Sequence, residues 1–340
     1  MTAPLTQAAH VIGVDLGGTK TAAGVVSPSG DVLISETIPT LNRAGGEAIL
    51  DATAALITGL AERAADAGIS VSSVGVGSAG VIDASSGVVV SATDAIHGWA
   101  GTALVSGLCS RLALPAAAVR AVNDVHAHAL GEAWLGAAAG SSSSLMVAFG
   151  TGVGGSFVVD GAPVLGHRFV GGHVGHFASP YACADGAPLP CVCGASGHVE
   201  AIASGPALYQ AYLRFGGSSL DAADTRGVFA LAASASDTHD DGAAAASADS
   251  RAAALRAIEV GAAAAGQAVG GLINILDPET VVVSGGLADA GDPWWKPMES
   301  ALRLELLAPL AAVPVIRATL GNTAAIVGAA KLVLEIRETS

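Results

Sequence analysis

The chain has 340 residues, 51% of them hydrophobic and 13% charged, with a formal net charge of −14. That length can bury the cores of two domains, and an acidic balance with no Lys/Arg cluster argues against a nucleic-acid surface. No basic stretch followed by an apolar segment opens the chain and its apolar runs are broken by Gly, Ser, Asn or Gln, so neither a signal peptide nor a membrane span is expected and a soluble cytoplasmic protein is.

In chain order, residues 11–26 come first: an apolar run ends in Asp15, a turn of Gly17, Gly18 and Thr19 follows, then Lys20, and a second apolar run begins at Ala22. Two such runs around a Gly-rich turn predict a β-hairpin. Its tip can bring backbone N–H groups close to a phosphate, with the Thr19 hydroxyl as a further donor. Residues 32–38 read as a strand, 46–67 as an Ala-rich helix, 74–76 as a short strand leading into a loop at Gly80, and 104–112 as a helix. The strand 119–122 delivers Asn123 and Asp124, and a helix is expected over 126–134.

The hairpin pattern returns after the low-complexity stretch 140–144. Residues 145–159 read as strand, a turn containing Gly150, Thr151, Gly152, Gly154 and Gly155, and a second strand. Gly150, Gly152 and Gly155 satisfy the G-x-G-x-x-G spacing, but a β-branched run follows where a dinucleotide fold needs a helix, so that reading is rejected. The Walker A pattern is also absent. Two Gly/Thr hairpins, one opening each half, suggest an internal duplication whose tips face each other across a cleft. Further on, 232–250 lacks apolar periodicity and reads as a loosely packed surface segment within a helical region. A helix over 252–276, a strand over 280–283 entering Gly285 and Gly286, and a closing helix over 323–336 complete the chain.

Several residues carry chemistry. A carboxylate such as Asp124, between an apolar strand and a helix, either caps that helix or faces a cleft. Cys191 and Cys193 stand one residue apart with His198 five residues on, all downstream of His176, while Cys109 stands alone and Cys183 lies in a loop. A cytosolic setting disfavours a disulfide. Two thiolates and two imidazoles form a four-ligand zinc set, which His176, Cys191, Cys193 and His198 supply, with Cys183 the alternative fourth ligand. Such a zinc would be structural, rigidifying the loop that carries His173 and Glu200.

The DLGGTK motif, the Asn123-Asp124 pair, GTGVGG, the Gly175-His176 pair and C-x-C-G-x-x-G-x-x-E, in that order over nearly the whole chain, resemble the ROK family of sugar kinases and sugar-responsive repressors. The resemblance implies an α/β fold of the two-domain actin-like ATPase type (hexokinase/ribonuclease H-like) with ATP in a cleft between domains. The expected division is a small α/β domain of 1–122 plus 322–340 and a large one of 123–321 bearing the zinc loop. It further implies Asp124 as the general base that takes the proton of the sugar hydroxyl, Asn123, His173, His176, Glu200 and Gly80 at the sugar, and a homodimer. The nucleotide phosphates fall to Gly17, Gly18, Thr19, Lys20, Gly150, Thr151 and Gly152, Mg²⁺ to Asp15 through water, and adenine to Gly285 and Gly286. The family usually has a third Cys at position 198, so His198 is a conservative change for zinc.

In the family's glucokinases the position of His173 is usually Glu. The G-H-V-G-H run, and Glu200-Ala-Ile-Ala-Ser-Gly205 after the zinc motif, resemble bacterial N-acetylmannosamine kinases of the family. Imidazole in place of a carboxylate relieves crowding or charge near C2, which suits an N-acetyl substituent. The expected activity is therefore ATP-dependent phosphorylation of the 6-hydroxyl of N-acetylmannosamine, with glucose or another hexose as the alternative. A repressor would carry a helix-turn-helix segment before the first phosphate motif, where ten residues precede Val11. Ala79-Gly80 stands where the family often has Pro-Gly, and His97 replaces the Pro of its Pro-Gly-Trp turn. Trp99 there packs either in the core or beside the sugar.

Overall fold

The computed structural model describes residues 10–234 and 248–334. In chain order the elements are β1 (His10–Leu16), β2 (Lys20–Val26), β3 (Val32–Pro39), α1 (Gly46–Asp66), β4 (Val71–Ser78), β5 (Val81–Asp83), β6 (Val88–Ser91), α2 (Leu104–Leu112), β7 (Val119–Asn123) and α3 (Asp124–Trp134). There follow β8 (Ser143–Phe149), β9 (Val153–Val159), β10 (Ala162–Pro163), β11 (Cys183–Ala184), β12 (Ala187–Pro188), α4 (Glu200–Ala203), α5 (Gly205–Arg214) and α6 (Thr225–Ala233). The last are α7 (Ala248–Leu276), β13 (Thr280–Ser284), α8 (Asp292–Glu305), β14 (Val315–Arg317) and α9 (Ala324–Leu334).

These elements form two compact units. Among the described residues the first holds 10–144, 156–172 and 318–334, and the second 145–155, 173–234 and 248–317. The first is built on a sheet ordered β3-β2-β1-β4-β7, antiparallel across β1–β2 and β2–β3 and parallel across β1–β4 and β4–β7. Alternate residues of β1 and β2 serve opposite faces. Ile12, Val14, Leu16, Ala23 and Val25 join a core with Leu50, Ile57 and Leu60 of α1, Leu104 and Leu108 of α2, and Trp99. Val11, Ala22 and Val26 pack instead against Ile326, Ala330 and Val333 of α9. Each Val, Leu or Ile side chain among them taken fully from water stabilises by about 1.5–3 kcal/mol.

The first unit also includes α3, which the sequence-based division assigned to the other domain. The reason is steric. A Cβ at Gly328 would collide with the Ala127 carbonyl, so glycine there lets α9 lie backbone-close to α3, with Ala325 and Ala329 filling the seam.

In the second unit β13 lies beside β8 and pairs in parallel with β14. Every residue of β13 is buried, as expected for a strand covered on both faces. Helix α7 is long and apolar enough to span a bilayer by length and composition, but 56% of its apolar window is buried inside the unit. It packs on α5, α6 and α8 as a core helix. Phe149 at the end of β8 meets Trp294 of α8 with ring centroids 5.4 Å apart.

Both expected hairpins form, and the strand after the second Gly-rich turn bears out the rejection of the dinucleotide fold. The surface segment expected over 232–250 lies largely outside the described residues, and its flanks belong to α6 and α7. Trp99 is 1% exposed, with Nε1 donating to the Ala79 carbonyl at 3.0 Å, so it is a core residue.

Candidate active site

Strand β7 delivers the Asn123-Asp124 pair to the start of α3. The helix begins two residues earlier than its apolar pattern predicts because Asn123, not Asp124, is the N-cap. Its Oδ1 accepts from the Val125 N–H at 3.0 Å, and its Nδ2 donates to the Gly80 carbonyl at 2.8 Å. Asn123 is thereby 8% exposed and engaged at both ends of its amide, whereas sequence reasoning placed it at the sugar. Asp124 Oδ1 accepts from the same Val125 N–H at 2.8 Å. Burial raises the pKa of Asp124, against the lowering effect of those hydrogen bonds. The result is a half-buried carboxylate of raised basicity, the property a proton acceptor needs.

Asp15 is the penultimate residue of β1. Burial, and then repulsion from Asp124, raise its pKa to about 6, with Lys20 opposing. Two carboxylates and a lysine make a local negative field that suits a hydrated divalent cation, so Asp15 fits the expected role of holding Mg²⁺. In the adjoining turn the Gly17 carbonyl accepts from Thr40 Oγ1 at 2.8 Å, the Gly18 carbonyl from Asn42 Nδ2 at 2.9 Å, and the Thr19 carbonyl from the Thr40 N–H at 3.0 Å. With its carbonyls tied back, the tip has the Gly18 and Thr19 N–H groups and the exposed Thr19 hydroxyl to offer an anion.

The second Gly-rich turn belongs to the second unit. Gly150 N–H donates across it to the Gly152 carbonyl at 2.9 Å, and the Gly150 carbonyl accepts from the Gly205 N–H at 2.8 Å. Gly150, Thr151 and Gly286 line a cavity of about 610 Å³ together with Pro206, Arg226 and Phe229. Gly285 has φ +90°, and a Cβ there would collide with the Phe149 backbone, so only glycine brings this turn against β8. The cavity has the size and partly apolar lining of a small-molecule site. Pro206, Arg226 and Phe229 escaped sequence reasoning, although Ser204 before Gly205-Pro206 and Asp224 before Thr225 are N-cap signals that mark two helix starts converging there.

His176, Cys191, Cys193 and His198 come together, with one ligand atom of each lying within 4.8 Å of the others. The Sγ of Cys191 is 3.6 Å from His176 Nδ1, and that of Cys193 is 3.3 Å from His198 Nδ1. A tetrahedral zinc with ordinary Zn–S and Zn–N bonds separates such atoms by about 3.6 Å, so the donor set fits zinc in chemistry and spacing. Cys183, in β11, is exposed and outside this group. Glu200, 8% exposed, accepts from the Val153 N–H at 2.8 Å, and its other oxygen lies 4.0 Å from Cys191 Sγ. His173 precedes the short 3₁₀ turn Val174–His176, its ring centroid 6.3 Å from that of His176.

A sequence model of the ROK family matches residues 11–336. The chain is 33% identical over 333 residues to a glucokinase of Streptomyces coelicolor, covering 95% of this chain and 97% of that one. It is 31% identical over 283 residues to an N-acetyl-D-glucosamine kinase of Yersinia enterocolitica, covering 82% and 84%. The crystal structure of a ROK family glucokinase from Streptomyces griseus, in complex with glucose and AMPPNP, is 29% identical and superposes with a TM-score of 0.74 over 95% of this chain and 98% of that one. The fold is therefore the α/β fold of the actin-like ATPases.

Proposed function

The chain belongs to the ROK family and is a carbohydrate kinase that phosphorylates a sugar 6-hydroxyl, and from that premise we propose that its sugar is N-acetylmannosamine and its base Asp124. The observation that supports the base is the half-buried Asp124 carboxylate, of raised pKa, at the start of α3. Asp124 accepts the proton of the 6-hydroxyl as that oxygen forms its bond to the γ-phosphorus of ATP and the bond to the ADP oxygen breaks. The base contributes about 10²–10⁴-fold, and the remainder comes from positioning and from stabilising charge on the transferred group. The N–H groups at Gly18–Thr19 and Gly150–Thr151 serve the phosphates, and the cavity at Gly286 the adenosine. Asp15 would hold Mg²⁺, which would supply charge neutralisation at the phosphates.

His173, in the Gly-His-Val-Gly-His run, supports an N-acetylated sugar, because an imidazole in place of a carboxylate relieves crowding or charge beside C2. Zinc at His176, Cys191, Cys193 and His198 would hold the segment that carries His173 and Glu200. We assign the activity to the cytoplasm and to a homodimer, as the family resemblance implies. A second reading, glucose, is favoured by the 33% identity to a glucokinase. ADP production from Mg-ATP with N-acetylmannosamine, N-acetylglucosamine, glucose and mannose decides between them. A kcat/KM for N-acetylmannosamine at least tenfold above the rest is expected. Preference for glucose would discard the role given to His173, and no turnover with any sugar would discard the kinase.

A further inference from the structure

The first turn of α3 holds more than the base. Asn123 at its cap donates to the Gly80 carbonyl, and His126, two residues after Asp124, places its Nε2 2.6 Å from the carbonyl of Gly171. A carbonyl only accepts, so Nε2 carries the proton. His126 is 2% exposed, and no surface role accounts for it. Its partner lies in a segment that needs holding. Residues 165–171 fold back on themselves, with Gly171 N–H donating to the Leu165 carbonyl at 2.8 Å. Three residues of that stretch and its exit take left-handed backbone: Gly166 at φ +76°, Phe169 at +61° and Gly172 at +86°. Phe169 bears a strain that glycine does not, so the loop depends on outside contacts to keep its shape. Gly171 stands two residues before His173, and a Cβ there would collide with the Val164 carbonyl, which leaves the stretch of chain leading to His173 no slack on that side.

We propose that His126 is a positioning residue for sugar recognition: by donating to Gly171 it ties the segment that ends in His173 and His176 to the helix that begins with Asp124. The proposal rests on the reading of residues 173–176 as sugar-contacting. The effect is on ground-state placement of the sugar, so it appears in the KM for sugar more than in kcat, and the KM for ATP stays put.

Two variants test it. His126→Leu fills the space without a donor, and His126→Gln returns an N–H near the place of Nε2. For His126→Leu the KM for sugar is expected to rise about tenfold, the worth of one buried hydrogen bond, with the KM for ATP within twofold. Hydrogen exchange should quicken in peptides covering 165–176 while those covering α3 are unchanged, and His126→Gln should restore both readouts to within threefold of wild type. If His126→Leu does not fold, His126→Asn, whose shorter amide falls short of Gly171, replaces it with the same expectations. Unchanged exchange over 165–176 would overturn the tether, and faster exchange with an unchanged sugar KM would overturn its role in sugar recognition. A wild type that prefers glucose displaces the choice of sugar alone, since the variants are then read on glucose.

Discussion

Replacing Asp124 by Asn separates the chemical role of this residue from its structural one. The Oδ1 that accepts from Val125 N–H at 2.8 Å has an amide counterpart in asparagine, and Asn123 remains the cap, so α3 should keep its start. What is lost is the proton acceptor, worth about 10²–10⁴-fold in kcat, or roughly 2.7–5.4 kcal/mol of barrier. Stability should move the other way. A carboxyl whose pKa is raised by folding favours the fold while protonated, and that advantage is lost as pH rises from its unfolded value through its folded one. Both Asp124 and Asp15 are raised, the latter from 3.8 to about 6. Where both are ionised, the pair therefore weighs against the fold. In Asp124→Asn the neutral amide lifts part of that load and lowers the pKa of Asp15 by removing its charged neighbour. Coupled ADP assays, calorimetric sugar binding and thermal melts at pH 5 and 7 test this together. The expected pattern is sugar affinity within threefold of wild type, kcat down at least a hundredfold, and a Tm at pH 7 no lower than wild type. In the wild type kcat/KM should fall as pH drops below about 6, where Asp15 takes up a proton. A variant within tenfold of wild-type kcat would refute the base assignment.

The metal site predicts one zinc per chain by elemental analysis. Cys183→Ser should retain it, while Cys191→Ser should lose it and lower the Tm. Full zinc in the Cys191 variant, or its loss in the Cys183 variant, would show the wrong donor set. Glu132, fully buried in α3, accepts from the N–H groups of Ala137 (2.8 Å), Thr319 (3.1 Å) and Leu320 (2.9 Å). Glu132→Ala strands the N–H donors of the half-buried Ala137 and Leu320 at about 1–3 kcal/mol each, while that of the exposed Thr319 can turn to water, so a loss of roughly 2–6 kcal/mol is expected in denaturant unfolding followed by the first unit's Trp99 and Trp134. A loss under about 1 kcal/mol would mean that water replaces the carboxylate.

What the sequence discloses, and what it withholds, follow from the range of the interactions. The hairpin at residues 10–26 was legible because period-2 burial and a Gly-rich turn are local, and the Cys/His cluster because three of its four residues fall within eight positions. Helix α3 shows where local reading stops. Its apolar pattern begins at His126, but its first turn is decided by the amide of Asn123, whose other end is taken by Gly80, 43 residues away. The cavity residues Pro206 and Arg226 come from two helix starts that sequence shows only as caps, and they meet Gly286 because the Gly285 turn closes on β8. The division into units failed to follow the sequence for the same reason. The contact of α3 with α9 depends on Gly328, some 200 residues from Ala127, and on the absence of a Cβ, which leaves no periodic trace. Glu132 completes the case: in sequence it is one acidic residue of a helix, and only the fold shows that its carboxylate replaces water for the backbone at 319–320. The helix that begins with the proposed base is thus held from its cap to its last turn by partners distant in sequence, which is why its place was readable from the strand before Asp124 and its anchorage was not.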